Sequence, residues 1–424
     1  MAQRLITTEC YSTQIKINEH IRLLWLNMLY VLGELMKSNT GKKRRIRISV
    51  IILLVFLFLI SAIFATVEIT VGGQVRTLAT LSKSGEEHPV FELNVNHSYD
   101  LDELLNSNVS TIAQLRDYVI KQETSGIPIP ISDMYFGCSS YSAKNSDNEQ
   151  VYGRNFDNAD NSVAVLVHTK PDDGYESIST ANMAFTGIDV TDNSLISTLT
   201  FLSAPYIPVD GMNEKGFTVS VLMLTGTPTN QSTGKPKIST TVAIRMMLDR
   251  ASTVDEAVEM LKKYDMQSTM YAPYHFLLSD AQGNSAVIEY HKNEMRVIKA
   301  DDNYQVCTNF WLSKNDKKDY DGLCERYKSI NDSLSSTKGI VNSNKDGMKL
   351  LENASQEGTI WSEFYNQSKL SMDFVSRTDY ENIKTYSVFD SLGNSYPFYL
   401  EIIIWIVIAG LFVFLFTKVK RKVK

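Results

Sequence analysis

One thiol in this 424-residue chain has neighbours that could make it reactive. Cys138 follows Gly137 at the head of the strand-like run CSSYSAK, and Arg154 and Asp157 come 16 and 19 residues later within GRNFDN. An arginine close to a thiol favours the thiolate, and an aspartate at hydrogen-bonding distance can hold an ammonium group. Taken alone, a cysteine beside a strand is more often an inert buried thiol. Other chemistries find no pattern. The six histidines (His20, His88, His97, His168, His275 and His291) include none in an HExxH, no serine sits in a GxSxG elbow, and no CxxC supports a metal site. A thiol assisted by His275 is an alternative without a local signature. Cys10, Cys307 and Cys324 complete the cysteines. Cys307 and Cys324 lie close enough in sequence to pair, if their Cα separation allows it.

Five ordered segments carry a resemblance. FGCSSYSAKNSDNEQVYGRNFDN, DGMNEKGFTVSVLML, VCTNF, ERY and TIWSEFYNQSKL stand in the order seen in the linear-amide C-N hydrolases. That family includes choloylglycine hydrolase and penicillin V acylase, and is related to acid ceramidase and N-acylethanolamine acid amidase. The similarity spans about residues 130 to 390. It implies an α+β fold, the αββα sandwich of an N-terminal-nucleophile hydrolase, in which Cys138 becomes the first residue after autocleavage of the Gly137–Cys138 bond. A free α-amine, with a pKa of about 7.7–8, can then serve as general base without any histidine. Carried over by position, the resemblance gives Cys138 the thiolate and amine, and Arg154 and Asp157 their orientation. Asn213 and Asn309 would donate toward an oxyanion, and Arg326 would support the site. No cofactor or metal is implied, and the substrate would be a small N-acyl amide. The residues alone leave Asn213 readable as a hairpin-turn residue, Asn309 as a loop cap and Arg326 as a surface cation. A non-catalytic binding ectodomain and an acyltransferase stay open beside the amidase.

The elements that must position these residues follow from pattern. Residues 67 to 137 read as a pro-segment of two weak strands and a helix from Thr111 to Gln122, ending in the proline-bearing connector GIPIPISDMYFG. From 138 to 398 the chain turns strand-rich: QVYGRNF, SVAVLVHT and FTVSVLML alternate or run apolar. Helices are expected from Ser239, from Thr253 with a Thr253–Glu256 capping box, near 322–334 and near 346–354. Strands return at YHFLLSD, SAVIEY, EMRVIKA and QVCTNF, near 359–376 and near 384–389. Two strand groups with helices between and after them predict stacked antiparallel sheets covered by helices.

Two uncharged runs frame this block. Ile48 to Thr66 and Ile402 to Thr417 are long enough to read as membrane spans, and each has a Lys/Arg cluster on one side. The basic flanks place both termini in the cytoplasm and residues 68 to 398 outside it. Cleavage of the first run as a signal after Ala65, and a start at Met36 that leaves out residues 1–35, are the competing readings. The formal charge of −6 divides unevenly: residues 1–47 and 399–424 are basic, and the segment between keeps 28 basic and 44 acidic residues. That acidic ectodomain argues against a nucleic-acid partner. Oligomeric state is not legible.

Overall fold

The computed structural model describes residues 71–390, apart from 86, 132–135, 159–161, 193 and 270–271. Both expected membrane spans therefore lie outside the described residues. Among the described residues no helix is long and apolar enough to cross a membrane. The chain divides into two units at Gly72/Gly73, and every described strand belongs to the second.

Short alternating runs pair into two large sheets. The first has nine strands: β1 (Ser82–Ser84), β2 (Val90–Val95), β5 (Ala164–Thr169), β6 (Ser177–Asn182), β7 (Pro208–Asn213), β8 (Thr218–Met223), β11 (Tyr274–Ser279), β12 (Ser285–His291) and β13 (Glu294–Lys299), in that spatial order. The second runs β14 (Gln305–Cys307), β3 (Gly137–Asn145), β4 (Gln150–Asp157), β16 (Thr359–Asn366), β17 (Ser371–Ser376) and β18 (Lys384–Ser387). Its seventh strand, β15 (Ile340–Val341), pairs with β3. A separate ribbon joins β9 (Lys237–Ser239) to β10 (Asp265–Gln267).

Most pairings are antiparallel, as expected, but β2 runs parallel to β5 over six residue pairs. The two weak strands read between residues 67 and 137 are present as β1 and β2, members of the nine-stranded sheet, where Phe91 and Leu93 find cover inside the common core. The helix expected from Thr111 is present as α2 (Ile112–Gln122), after α1 (Leu101–Asn106). Its Thr111/Gln114 capping box satisfies two of the backbone N–H groups a helix start leaves open. α3 (Leu195–Thr200) follows β6.

Alternation along β3 and β4 defines the layers. Cys138, Tyr152, Phe156 and Trp361 belong to the cluster that includes Val219, Val221 and Leu277 of the opposing sheet. Tyr141, Ala143, Val151 and Phe364 pack instead with Tyr327, Ile330 and Leu351. Those last residues come from α7 (Glu325–Ser336), which follows the one-turn α6 (Tyr320–Leu323), and from α8 (Asn344–Asn353). On the other side, α4 (Thr240–Arg250) lies on β7 and β8, and α5 (Val254–Leu261) follows it. Thr253 caps α5 through the Glu256 N–H, but the Glu256 carboxylate takes the Ser252 N–H instead of closing the expected box. The order is thus helix, sheet, sheet, helix. Each large apolar side chain buried between layers contributes about 1.5–3 kcal/mol. Phe156 and Trp361, stacked at 4.0 Å, add about 0.5–1.5 kcal/mol from ring geometry. The glycine of GRNFDN has a packing reason: a Cβ on Gly153 would lie 2.1 Å from the Tyr141 ring.

Candidate functional site

Cys138 opens β3, and its register against β4 decides what surrounds it. Cys138 faces Phe156 and Ser140 faces Arg154, so the even-numbered side chains of both strands enter the layer between the sheets. The Cys138 thiol is fully buried and donates to the Val221 carbonyl at 3.7 Å. Arg154 donates from Nη2 to the same carbonyl at 2.9 Å and from Nε to Asp210 Oδ2 at 3.2 Å. Glu363 stands opposite Arg154 across the β4–β16 pair. Its oxygens accept from the Thr180 hydroxyl and, at 2.9 Å, from the Tyr365 hydroxyl.

An unpaired buried guanidinium would be expensive, and Asp210 compensates it. Glu363 brings a second carboxyl into the same dry space. Burial raises both acids. Arg154 pulls Asp210 back down, whereas the Asp210 charge pushes Glu363 further up. Of the two, Glu363 is the more strongly raised.

A second group grips the Cys138 backbone. Asn309, just after β14, accepts the Cys138 N–H through Oδ1 at 2.7 Å and donates from Nδ2 to the Met223 carbonyl at 2.7 Å. Arg326, in the first turn of α7, donates from Nη1 to the Cys138 carbonyl at 2.5 Å and to Asp157 Oδ2 at 2.9 Å. Its Nη2 donates to Asn309 Oδ1 at 2.8 Å. Asp157 ends β4 and accepts the Thr359 hydroxyl through Oδ1 at 2.7 Å. A cation in the first turn opposes the helix dipole, and the Asp157 carboxylate offsets that.

Electrostatics leave the thiol protonated. Burial pushes Cys138 up to about 12, while Arg154 pulls it down. In this state the sulfur is surrounded by the groups that could activate it but is held out of water.

Five of the six residues singled out from sequence meet here: Cys138, Arg154, Asp157, Asn309 and Arg326. Asn213 does not. It closes β7 three residues beyond Asp210, where Nδ2 donates to the Leu248 and Ala251 carbonyls and Oδ1 accepts the Lys215 and Phe217 N–H groups. Both of its donors are used in tying the hairpin to α4, which leaves nothing to offer an oxyanion. Asn309 also differs from expectation: its oxygen holds the Cys138 nitrogen and its amide is given to Met223.

His275 is committed elsewhere. Nε2 lies 2.7 Å from the Thr308 carbonyl and 3.3 Å from the Cys307 sulfur, and Nδ1 lies 3.3 Å from Glu289. Glu289, which burial would raise, is held below the usual carboxylate range by its bond to His275 and by Ser313 and Leu312. Those bonds fix the loop carrying Asn309. Cys307 and Cys324 are free thiols. Among the described residues no group of three His, Cys, Asp or Glu is arranged to hold a metal ion.

Sequence reasoning missed Asp210 and Glu363. Each stood inside one of the five ordered segments, Asp210 in DGMNEKG and Glu363 in TIWSEFYNQSKL. The signal that could have found them was an acid at an inward-facing position of a strand.

The chain is similar to known proteins. The profile of the linear amide C-N hydrolases, choloylglycine hydrolase family, matches residues 138–370. Penicillin V acylase of Pectobacterium atrosepticum is 38% identical over 112 residues, a stretch covering 24% of this chain and 29% of that protein. Among solved structures, penicillin V acylase from Agrobacterium tumefaciens aligns at TM-score 0.41 and 17% identity, covering 56% of this chain and 83% of that one. A mutant of conjugated bile acid hydrolase from Clostridium perfringens aligns at 0.45 and 14%, covering 61% and 95%. With the profile matched over more than half of its length, starting at Cys138, the chain belongs to the linear amide C-N hydrolases of the choloylglycine hydrolase family.

Proposed function

We propose that the protein hydrolyses an N-acyl amide through Cys138 as an N-terminal nucleophile, after its own scissile bond, Gly137–Cys138, has been cut. The observation that carries this is the double grip on Cys138. Its nitrogen is held by Asn309 and its carbonyl by Arg326, which also bonds Asp157 and Asn309. A structural cysteine needs no such attention to its backbone. The start of the family match on Cys138 supports the same reading.

Once free, the Cys138 amine takes the thiol proton, with Asn309 Oδ1 and Asp157 beside it to hold the resulting ammonium. The sulfur attacks the acyl carbon and forms a tetrahedral oxyanion. That intermediate collapses by expelling the substrate amine, which leaves with the proton. Water, deprotonated by the same α-amine, then attacks the thioester and releases the acid and the thiol. A neutral amine with a pKa of about 7.7–8 makes this base available near neutral pH, with no histidine required.

The proposal includes location: an anchored protein with residues 68–398 outside the cytoplasm and both termini inside, motivated by the two uncharged runs and their basic flanks. Mass spectrometry of the purified, active protein is expected to find a fragment beginning at Cys138, absent in Cys138→Ala. An active preparation containing only intact chain would sink the nucleophile assignment. Protease added to intact cells is expected to cut between residues 68 and 398 and spare both tails; sparing of that whole segment would sink the location.

A further inference from the structure

Phe136 and Gly137 are the last two residues before the bond proposed to be cut, and they are held as a ligand would be. Phe136 is almost fully buried. Its ring stacks on Phe156 at 5.1 Å and on Tyr274 at 5.6 Å, and meets Phe185 at 6.2 Å. These three rings come from β4, β11 and the segment after β6, so the slot is built from both sheets. A small cavity continues beyond the Phe136 ring, lined by Val209, Val221, Thr241 and Thr269. Val221 is the residue whose carbonyl accepts the Cys138 thiol. The slot, the cavity and the sulfur are contiguous.

Chemistry connects them. In the cut itself the Cys138 sulfur attacks the Gly137 carbonyl carbon, the Gly137–Cys138 C–N bond breaks, and the Cys138 nitrogen takes up the proton as an amine. The Gly137 carbonyl stays on sulfur as a thioester until water releases it as a carboxylate and returns the thiol. Gly137, with Phe136 behind it, is therefore the first acyl group this enzyme carries.

We infer that the Phe136 slot is the acyl-binding pocket of the mature enzyme and that Phe136–Gly137 is a built-in copy of the acyl group it accepts. The inference rests on the proposed cleavage at Gly137–Cys138. It sets two features of the acyl group. Its first carbon is best an unbranched methylene, because a Cβ on Gly137 would crowd Asp157, 3.2 Å from its Cβ and 3.3 Å from Oδ2. An aromatic ring follows about five chain atoms from the carbonyl, the covalent path from Gly137 to the Phe136 ring. Phe185 and Tyr274 become specificity-determining residues.

The arrangement also makes the new C-terminus a competitor. The segment ending at Gly137 remains bonded to the fold through β2 and buries Ile129 and Ile131 in the same core. Its Phe136–Gly137 carboxylate is tethered beside the pocket it has just vacated, at high effective concentration.

The test uses the full chain in detergent and 4-nitroanilides of five acids: acetic, hexanoic, phenylacetic, 6-phenylhexanoic and 2-methyl-6-phenylhexanoic. The 6-phenylhexanoyl amide is expected to exceed the hexanoyl and phenylacetyl amides at least about tenfold in kcat/KM, the scale of one well-placed apolar group. The 2-methyl derivative is expected to fall at least about tenfold below its parent. Tyr274→Leu should narrow the ratio between the 6-phenylhexanoyl and acetyl amides. Equal use of hexanoyl and 6-phenylhexanoyl, or indifference to the 2-methyl group, overturns the pocket assignment. N-acetyl-Phe-Gly should inhibit competitively at least about tenfold more tightly than N-acetyl-Ala-Gly, and Phe136→Ala should lower the KM of the fraction that is cut. Equal inhibition by the two dipeptides overturns the copy even if Phe136→Ala fails to fold. An intact-mass measurement on the same sample separates the two ideas. A missing Cys138 fragment in active protein removes the proposed mechanism, whereas a present fragment with no aryl preference removes only the pocket.

Discussion

Two arginines serve Cys138 from different kinds of ground. Arg154 is fully buried between the sheets, with Asp210 as counter-ion and Glu363 opposite it across the β4–β16 pair. Arg326 stands at the rim in the first turn of α7, with its side chain 14% exposed, and bonds Asp157, Asn309 and the Cys138 carbonyl. The buried cation touches no backbone of the bond proposed to be cut, whereas the rim cation bonds the Cys138 carbonyl directly. What separates them is the cost of being alone. Between the sheets a lost partner leaves an uncompensated charge in a dry layer, so that assembly is coupled to folding. At the rim water can replace a lost partner, so the second assembly can be tuned for chemistry with little consequence for stability.

The largest expected effect tests the buried side. Arg154→Met leaves Asp210 without its cation and should destabilise the fold by about 3–5 kcal/mol, measured by urea unfolding. Adding Asp210→Leu should restore much of that loss without restoring activity. A single variant within about 1 kcal/mol of wild type would show that Arg154 is not the structural cation it is taken to be.

Arg326→Gln is the counterpart. It should reduce the rate of Gly137–Cys138 cutting and of turnover by about two to three orders of magnitude, as loss of one preorganised donor does. The melting temperature should stay within a few degrees of wild type. A large drop in melting temperature with retained rate would reverse the assignment of the two arginines.

Glu363 provides a smaller effect with a defined sign. Its folded pKa lies well above the ordinary value, so the unfolded chain ionises first, near pH 4.3. Below that pH both states hold the proton and nothing is lost. As pH rises, the folded state becomes relatively less stable by up to about 1.4 kcal/mol per unit until the folded pKa is reached. Glu363→Gln removes the titration and should gain on wild type as pH goes from 4.5 to 7.5, followed by thermal melts. A constant difference between the two proteins across that range would mean Glu363 is ionised in the fold.

The smallest effect is a control on the rim helix. Lys328 and Asp332 pair four residues apart on the exposed face of α7. Lys328→Ala should change stability by less than about 0.5 kcal/mol and leave cutting unaffected. A larger effect would show that α7 itself, and not Arg326, sets the rim.

The same contrast explains what could be read from sequence. CSSYSAK and QVYGRNF could be read as the strands β3 and β4, because a period of two or an apolar run is what the pleat of a packed sheet demands. The capping residue Thr253 located a helix start, since that chemistry is local. Asn213 was misassigned because a hairpin asparagine and a donor asparagine look alike; only the β7–β8 register shows that Asp210 is the member of that motif turned toward Arg154. Asp210 and Glu363 are far apart in sequence, on strands of different sheets, and meet only when the two sheets pack face to face, which no local pattern encodes. The parallel partnership of β2 with β5 was illegible for the same reason. The layered α+β arrangement, and the meeting of Cys138, Arg154, Asp157, Asn309 and Arg326 in one place, were legible because those residues sat in motifs whose order along the chain is itself informative.

If Gly137–Cys138 is cut as proposed, that parallel pairing changes the molecularity of the protein's own assembly. While Gly137 and Cys138 are joined, β2 and β5 reach each other as parts of one molecule, and folding is first order. In a protein cut at that bond, β2 belongs to one polypeptide and β5 to another, although six residue pairs still bind them into one sheet. Unfolding such a protein would release two chains, and recovery would then depend on their meeting, slowing in proportion to dilution. The uncut form should regain its fold at any concentration, whereas the cut form should be recovered only from concentrated solution, so the sheet that holds the halves together also records that they were made as one.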